Sequence, residues 1–165
     1  MRFHSVSQVG STMPVQQRSS DEVLREALEA NGQRFTGQRA AVYRFLSSTD
    51  RHPTADEVFL AVRGQEPVIS LATVYNTLET LVGCGLAVKL GYADGSARYD
   101  GRTDDHHHAR CLDCSRIFDL PDPHVPGEVA SLSRGLSGFR VTGYRLELTG
   151  QCETCVAPSA RAEPL

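Results

Sequence analysis

The chain has 165 residues, 40% of them hydrophobic and 22% charged, with a formal net charge of −3. That length holds one large domain or two small ones, no run approaches the ~20 apolar residues that span a bilayer, and the polar first twenty residues lack the apolar core of a signal peptide. Basic and acidic side chains nearly balance through residue 100, so any phosphate-binding face must come from clustering, as at Arg34, Arg39, Arg44 and Arg51, rather than from totals.

Residues 1–20 read as a flexible tail. From Asp21 the segment DEVLREALEANG has helical spacing, with Val23, Leu24, Ala27 and Leu28 on one face and Gly32 placed to end it. Thr36 can cap a second helix carrying Val42, Phe45 and Leu46. After His52-Pro53, Thr54 and Glu57 have the spacing of a capping box, which starts a third helix. Ser70 can cap a fourth, SLATVYNTLETLVGCG, with Gly83 and Gly85 at its end. The period then shifts to that of a strand: residues 86–92 and 97–100 flank Ala93-Asp94-Gly95-Ser96, and Asp-Gly between two such runs signals a hairpin. Helices followed at once by a hairpin fit a winged helix, with the fourth helix as the recognition helix; a small helical domain carrying a hairpin fits the same pattern.

Residues 101–105 are short, polar and begin with glycine, as a hinge would. Beyond them the pattern predicts a strand over 106–111, a turn over 111–114 and a strand over 116–120. A helix over 127–136 and a long strand over 139–149 follow, and the tail after residue 156 reads as flexible.

Four of the five cysteines form two C-x-x-C pairs, Cys111 with Cys114 and Cys152 with Cys155. In a chain expected in the reducing cytoplasm, such pairs point to metal or redox chemistry rather than structural disulfides. A redox pair belongs at a helix N-terminus; two matched pairs at strand ends suit a closed tetrahedral Zn2+ site, which is structural because no position is left for substrate. Cys84, between Gly83 and Gly85, reads as a small apolar residue.

The run Asp105-His106-His107-His108 precedes the first pair. In a strand, His106 and His108 share a face and His107 points away. Two imidazoles on one face can bind a transition metal, and mixed imidazole and carboxylate shells suit Fe(II), Mn(II) or Zn(II). Spacing leaves the remaining ligands open among His52, His124, Asp94, Asp104, Asp113 and Asp119. No H-E-x-x-H, Gly-rich phosphate loop or G-x-S-x-G occurs, which argues against an enzyme. A purely structural zinc protein would leave the helix–hairpin pattern unexplained.

Five segments in order, RFTGQR (34–39), HPTADE (52–57), SLATVYNTL (70–78), HHHARCLDC (106–114) and the closing Cys152/Cys155 pair, resemble the ferric uptake regulator family, over essentially residues 21–156. Within it the chain looks most like the peroxide-sensing branch. The resemblance implies an α+β fold: an N-terminal winged helix over 21–100, a hinge over 101–105 and a C-terminal dimerisation domain over 106–156. It implies structural zinc on Cys111, Cys114, Cys152 and Cys155, and a regulatory Fe2+ or Mn2+ on His52, Asp94, His106, His108 and Asp119. Iron-sensing members tend to carry Glu at Asp119, Asp at His107 and a histidine near Tyr144; the departures here argue against their additional metal site. It further implies a cytoplasmic homodimeric repressor on a pseudo-palindromic DNA operator, with Arg34 and Arg39 near phosphate and Thr73 and Tyr75 on the recognition helix. Peroxide would act by oxidising a ligand histidine; the alternative is an iron, manganese or zinc sensor without that chemistry.

Overall fold

The computed structural model describes residues 18–91, 96–120, 137–140 and 145–156. Four helices come first: α1 (Ser20–Ala30), α2 (Gly37–Ser47), α3 (Ala55–Val62) and α4 (Leu71–Gly83). Each begins after a hydroxyl residue, Ser19, Thr36, Thr54 or Ser70, whose oxygen accepts from the backbone N–H three positions on. These bonds satisfy donors that the first helical turn leaves unpaired. At Ser19 and Thr54 the Glu22 and Glu57 carboxylates also accept from the cap's own N–H, completing the reciprocal pair. The Ser19 cap moves the first helix one residue ahead of its expected start.

Glycine ends α1 as expected. Gly32 has φ +66, the Gln33 N–H reaches the Leu28 carbonyl at 2.8 Å and the Gly32 N–H reaches that of Glu29 at 3.1 Å, so two otherwise orphaned carbonyls are satisfied. Gly85, at φ +70, closes α4 in the same way, with Leu86 N–H on the Leu81 carbonyl at 2.9 Å. The apolar faces meet in one core. Leu24 and Leu28 of α1, Val42 and Leu46 of α2, Val58 of α3 and Leu78 of α4 are all fully buried, each worth roughly 1.5–3 kcal/mol of transfer free energy.

The hairpin pairs β1 (Val88–Leu90) with β2 (Arg98–Asp100), Val88 opposite Asp100. Tyr99 drops into the helical core and donates to Glu79 Oε1 at 2.8 Å. A third segment joins from the other side: Thr54 bridges to Arg98, and the Tyr99 N–H donates to the Pro53 carbonyl at 2.9 Å. Arg98 reinforces it, donating to the His52 carbonyl at 2.8 Å and pairing with Glu57 at 3.1 Å. His52 is thereby fixed beside the Asp100 end of the wing. The chain then leaves through Gly101, where a Cβ would lie 2.4 Å from the Leu46 carbonyl oxygen at the end of α2. Only glycine allows so close a pass.

A second sheet follows, built from β3 (His108–Cys111), β4 (Ile117–Asp119) and β5 (Glu147–Gly150) in the order β4–β3–β5. The β3–β4 pair is antiparallel, with His108 opposite Asp119; β5 runs parallel to β3, with Cys111 opposite Gly150. The architecture is α+β, a winged helix followed by a sheet-containing unit.

All five described strands are shorter than the pattern predicts, the histidine strand and the last strand among them. The histidine strand starts at His108 rather than His106, because the His106 ring turns back onto the Asp104 carbonyl at 2.7 Å. The last strand covers 147–150, while residues 139–140 and 145–146 have no regular structure. The Asp94 turn, the helix expected over 127–136, His124, Tyr144 and both tails (residues 1–17 and 157–165) lie outside the described residues. Among the described residues no helix is long and apolar enough to cross a membrane.

Candidate metal centres

The two C-x-x-C pairs converge. One hairpin end supplies Cys111 and Cys114, and the turn after β5 supplies Cys152 and Cys155; the four sulfurs lie within 4.8 Å of one another. Parallel pairing of β3 and β5 brings them together, because Cys111 sits opposite Gly150 and the Leu112 N–H donates to the Gly150 carbonyl at 2.8 Å. The first turn closes through Ser115, which adopts a left-handed φ of 55 and donates its N–H to the Cys111 carbonyl at 3.0 Å. The second closes through the Cys155 and Val156 N–H groups on the Cys152 carbonyl, at 2.8 and 2.9 Å.

The sulfur geometry suits a tetrahedral ion. Cys114 Sγ and Cys152 Sγ stand 3.7 Å apart, and a tetrahedron with metal–sulfur bonds of about 2.3 Å has edges of about 3.8 Å. Backbone N–H groups of Cys114 and Cys152 point at the Cys111 sulfur and hold its thiol down to about 6. Its neighbours Cys114 and Cys152 push Cys155 up to about 12. Four clustered thiols resist shedding their last protons without a cation among them. Zn2+ fits this donor set, and all four expected cysteines are in it.

The second cluster contains His52, Asp100, His106, His108 and Asp119, again with one donor atom from each within 4.8 Å of the others. Three elements and two connecting segments supply them. His52 comes from the turn before α3, Asp100 from the last residue of β2, His106 from the hinge side of the second sheet, and His108 and Asp119 from opposite positions on β3 and β4. Asp119 Oδ1 lies 2.9 Å from His52 Nε2 and 3.4 Å from His106 Nε2; Asp100 Oδ2 lies 2.9 Å from His106 Nε2 and 3.5 Å from those of His52 and His108. The rings of His52 and His106 meet that of His108 edge-on, at 89° and 75°, so nitrogens rather than ring faces converge.

These inward-facing atoms are hidden from solvent. The three Nε2 atoms, Asp100 Oδ2 and Asp119 Oδ1 make no well-formed hydrogen bond, although each is a strong polar group whose burial without a partner is costly. Two carboxylates among three imidazoles form a set that one divalent ion satisfies at once. Burial, seconded by the neighbouring His52 and His106, pushes His108 down, toward the neutral imidazole that ligates. Burial also works against the charge on Asp100, but the His52 ring and the Arg102 N–H outweigh it and hold that carboxyl below its ordinary range.

Asp100 is an addition to the expected set. Four of its five members, His52, His106, His108 and Asp119, converge, and Asp100, which the expected set did not include, joins them; Asp94 lies outside the described residues. In the sequence Asp94 directly precedes Gly95, a pair for which turn chemistry alone explains an aspartate. Asp100 ends the strand that carries His52 alongside it, and its 5% exposure places it inward. A buried aspartate in a two-strand hairpin was the available signal.

The positions expected to meet DNA are placed differently from one another. Tyr75 is 41% exposed on α4 and its hydroxyl donates to Asp56 Oδ2 at 3.4 Å. The Thr73 hydroxyl shares a 2.8 Å hydrogen bond with Ser70 Oγ at the start of that helix. Arg34 is exposed between α1 and α2, whereas the Arg39 guanidinium donates to the Arg34 carbonyl at 2.6 Å and to Gln33 Oε1 at 3.2 Å. Arg39 therefore braces the loop that presents Arg34.

The chain matches the ferric uptake regulator family model over residues 30–149. It is 43% identical to the peroxide operon regulator of Bacillus subtilis over 137 residues, covering 80% of this chain and 92% of that one. It is 38% identical to the peroxide-responsive repressor PerR of Staphylococcus aureus strain USA300, covering 87% of this chain and 98% of that one. Its fold is similar to that of the Helicobacter pylori ferric uptake regulator Fur, whose structure reveals three functional metal-binding sites, at TM-score 0.70 and 22% identity over 81% of this chain and 89% of that one. With motifs, fold and clustered donors in agreement, the chain belongs to the ferric uptake regulator family.

Proposed function

We propose that the chain is a metal-dependent, homodimeric transcriptional repressor whose corepressor is Fe2+ or Mn2+ and whose release signal is peroxide. The observation that carries this reading is the meeting of His52 and Asp100, from the helical and wing segments, with His106, His108 and Asp119, from beyond residues 101–105. A divalent ion at that point ties the winged helix (21–100) to the sheet-containing unit (106–156) at one angle. Metal occupancy then favours the DNA-competent arrangement, as differential affinity for one state requires.

The second sheet supports pairing of two copies. Phe118, Ala109 and Leu148 lie in register across β4, β3 and β5, with Phe118 and Leu148 exposed. Two-fold pairing through such a face would present two α4 helices to successive turns of a pseudo-palindromic operator. Tyr75 and the exposed neighbours Ala72 and Asn76 would face the groove, with Arg34 toward phosphate. The four-cysteine site, holding Zn2+, keeps the sheet together and takes no part in the switch.

Fe2+ held by His52, Asp100, His106, His108 and Asp119 would lend one electron to split the O–O bond of hydrogen peroxide and would regain it as a ligand ring is oxidised, so that the ring is the net two-electron donor. His52 and His106 are the rings the family resemblance points to; one peroxide oxygen added to either ring, the other leaving as water, would remove that ring from the donor set and loosen the clamp. The test is operator binding by the zinc-loaded protein titrated with Mn2+, Fe2+ or Zn2+, with and without peroxide, followed by peptide mass mapping. The Fe2+ form should lose DNA and gain one oxygen on His52 or His106, while the Mn2+ form keeps its DNA. Fe2+ protein that stays on DNA with unmodified histidines would exclude peroxide sensing and leave a sensor of the metal alone.

A further inference from the structure

Arg102, in the hinge, touches the regulatory centre from behind at three points. Its Nη1 donates to Asp119 Oδ2 at 3.1 Å, and its own backbone N–H donates to Asp100 Oδ1 at 2.7 Å. Its Nε and Nη2 grip both Asp104 oxygens, at 3.0 and 2.5 Å, and the Asp104 carbonyl meets His106 Nδ1 at 2.7 Å. In each case the occupied atom faces away from the cluster. Asp119 Oδ1, Asp100 Oδ2 and His106 Nε2 are the atoms left facing inward.

Resting on the regulatory-metal reading above, we propose that Arg102 is a positioning residue that restricts Asp119 to one metal-facing oxygen and presents His106 through Nε2. A carboxylate can ligate through one oxygen or both, and an oxygen held by a guanidinium is not free to join. The backbone N–H does the same for Asp100. A hydrogen bond from Nδ1–H to a carbonyl fixes the histidine tautomer and leaves the Nε2 lone pair for the ion. With one atom from each of five residues, an ion that favours six ligands keeps one position open, where a small oxidant or water can reach it. The forked guanidinium is needed because one cation must serve Asp119 and Asp104 together; a lysine ammonium is a compact point charge without that wide, fixed fork. As a surface ion pair alone, Arg102–Asp104 would contribute little to stability, so a large effect on the metal separates the two roles.

The experiment uses the full-length zinc-containing protein with Arg102→Ala, Arg102→Lys and, as control, Arg44→Ala, which removes another exposed arginine pair, that with Asp21. Co2+ is loaded into the second centre, and its visible absorption, its affinity against a competing chelator and the melting of the Co2+-free protein are measured. Arg102→Ala should bind Co2+ roughly 10–100-fold more weakly, with fainter absorption per ion as Asp119 engages through both oxygens. Arg102→Lys should recover only part of the affinity, and Arg44→Ala should match the parent. An unchanged spectrum and affinity in Arg102→Ala, with a parent that does bind Co2+, would overturn the inference. A parent that takes up no second ion would overturn the regulatory-metal reading and this inference with it.

Discussion

The two donor clusters are opposites in construction. The sulfur cluster draws on two tight turns whose backbone N–H groups already shape the ligands, and both turns hang on one pair of adjacent strands. The nitrogen–oxygen cluster draws on segments scattered from residue 52 to residue 119, on both sides of residues 101–105. A site built within one sheet can only lock that sheet. A site whose donors belong to separately folded segments makes its own occupancy depend on how those segments are disposed, and the reverse holds by linkage. Structure and switching thus divide between the clusters by topology as well as by ligand type.

The largest effect should come from Cys111→Ser. Loss of one thiolate should release the zinc, whose binding contributes on the order of 10 kcal/mol to folding in comparable small sites. Metal analysis should show no zinc retained, and hydrogen exchange should show β3–β5 unprotected while α1–α4 stay protected. Loss of protection in the helices as well would break the claim that this cluster serves one sheet alone. Asp100→Asn should cost the second centre ~100-fold or more in Mn2+ affinity, judged against the 10–100-fold typical of outer-shell changes, with zinc content unchanged. Asp94→Asn should leave Mn2+ affinity within about threefold, below that same outer-shell range; calorimetric titration distinguishes the two, and the reverse ranking would return the ligand role to the turn. Gly101→Ala should be smaller, about 1–3 kcal/mol of stability by thermal melting, as overpacking costs elsewhere. It should also weaken Mn2+ binding while sparing zinc, because the displaced hinge carries one half of the second centre away from the other.

Much of this arrangement was legible in the residues. Ser70, Thr54 with Glu57, Gly32 and Gly85 mark helix ends through local bonds that a short window contains. The C-x-x-C pairs announce their chemistry because both ligands of each pair share one turn. Asp100 was not legible in the same way. Its role depends on Pro53 pairing with Tyr99 across the wing, a contact between positions forty-six apart, and the family resemblance points to Asp94 instead. Arg102 lies in a polar stretch that composition describes only as a hinge; its value comes from reaching Asp119, seventeen residues on. The arginine cluster marks Arg34 and Arg39 alike; that Arg39 turns its hydrogen bonds onto the Gln33–Arg34 loop is visible only in the fold.

The parallel pairing of β3 with β5 has a consequence for the order in which the chain takes shape. The helices and hairpin close on partners within residues 19–100, Pro53 with Tyr99 among them, whereas Cys114 must wait for Cys152, 38 residues further on. Closing a flexible loop of that size costs about 3 kcal/mol in chain entropy, and contacts of long sequence separation form slowly. On a ribosome the winged helix can be finished while β5 is still unsynthesised, and β3 waits with its edge uncovered. A zinc ion bound once both turns are made would complete the sheet, and without it β3 would keep an open strand edge toward its neighbours.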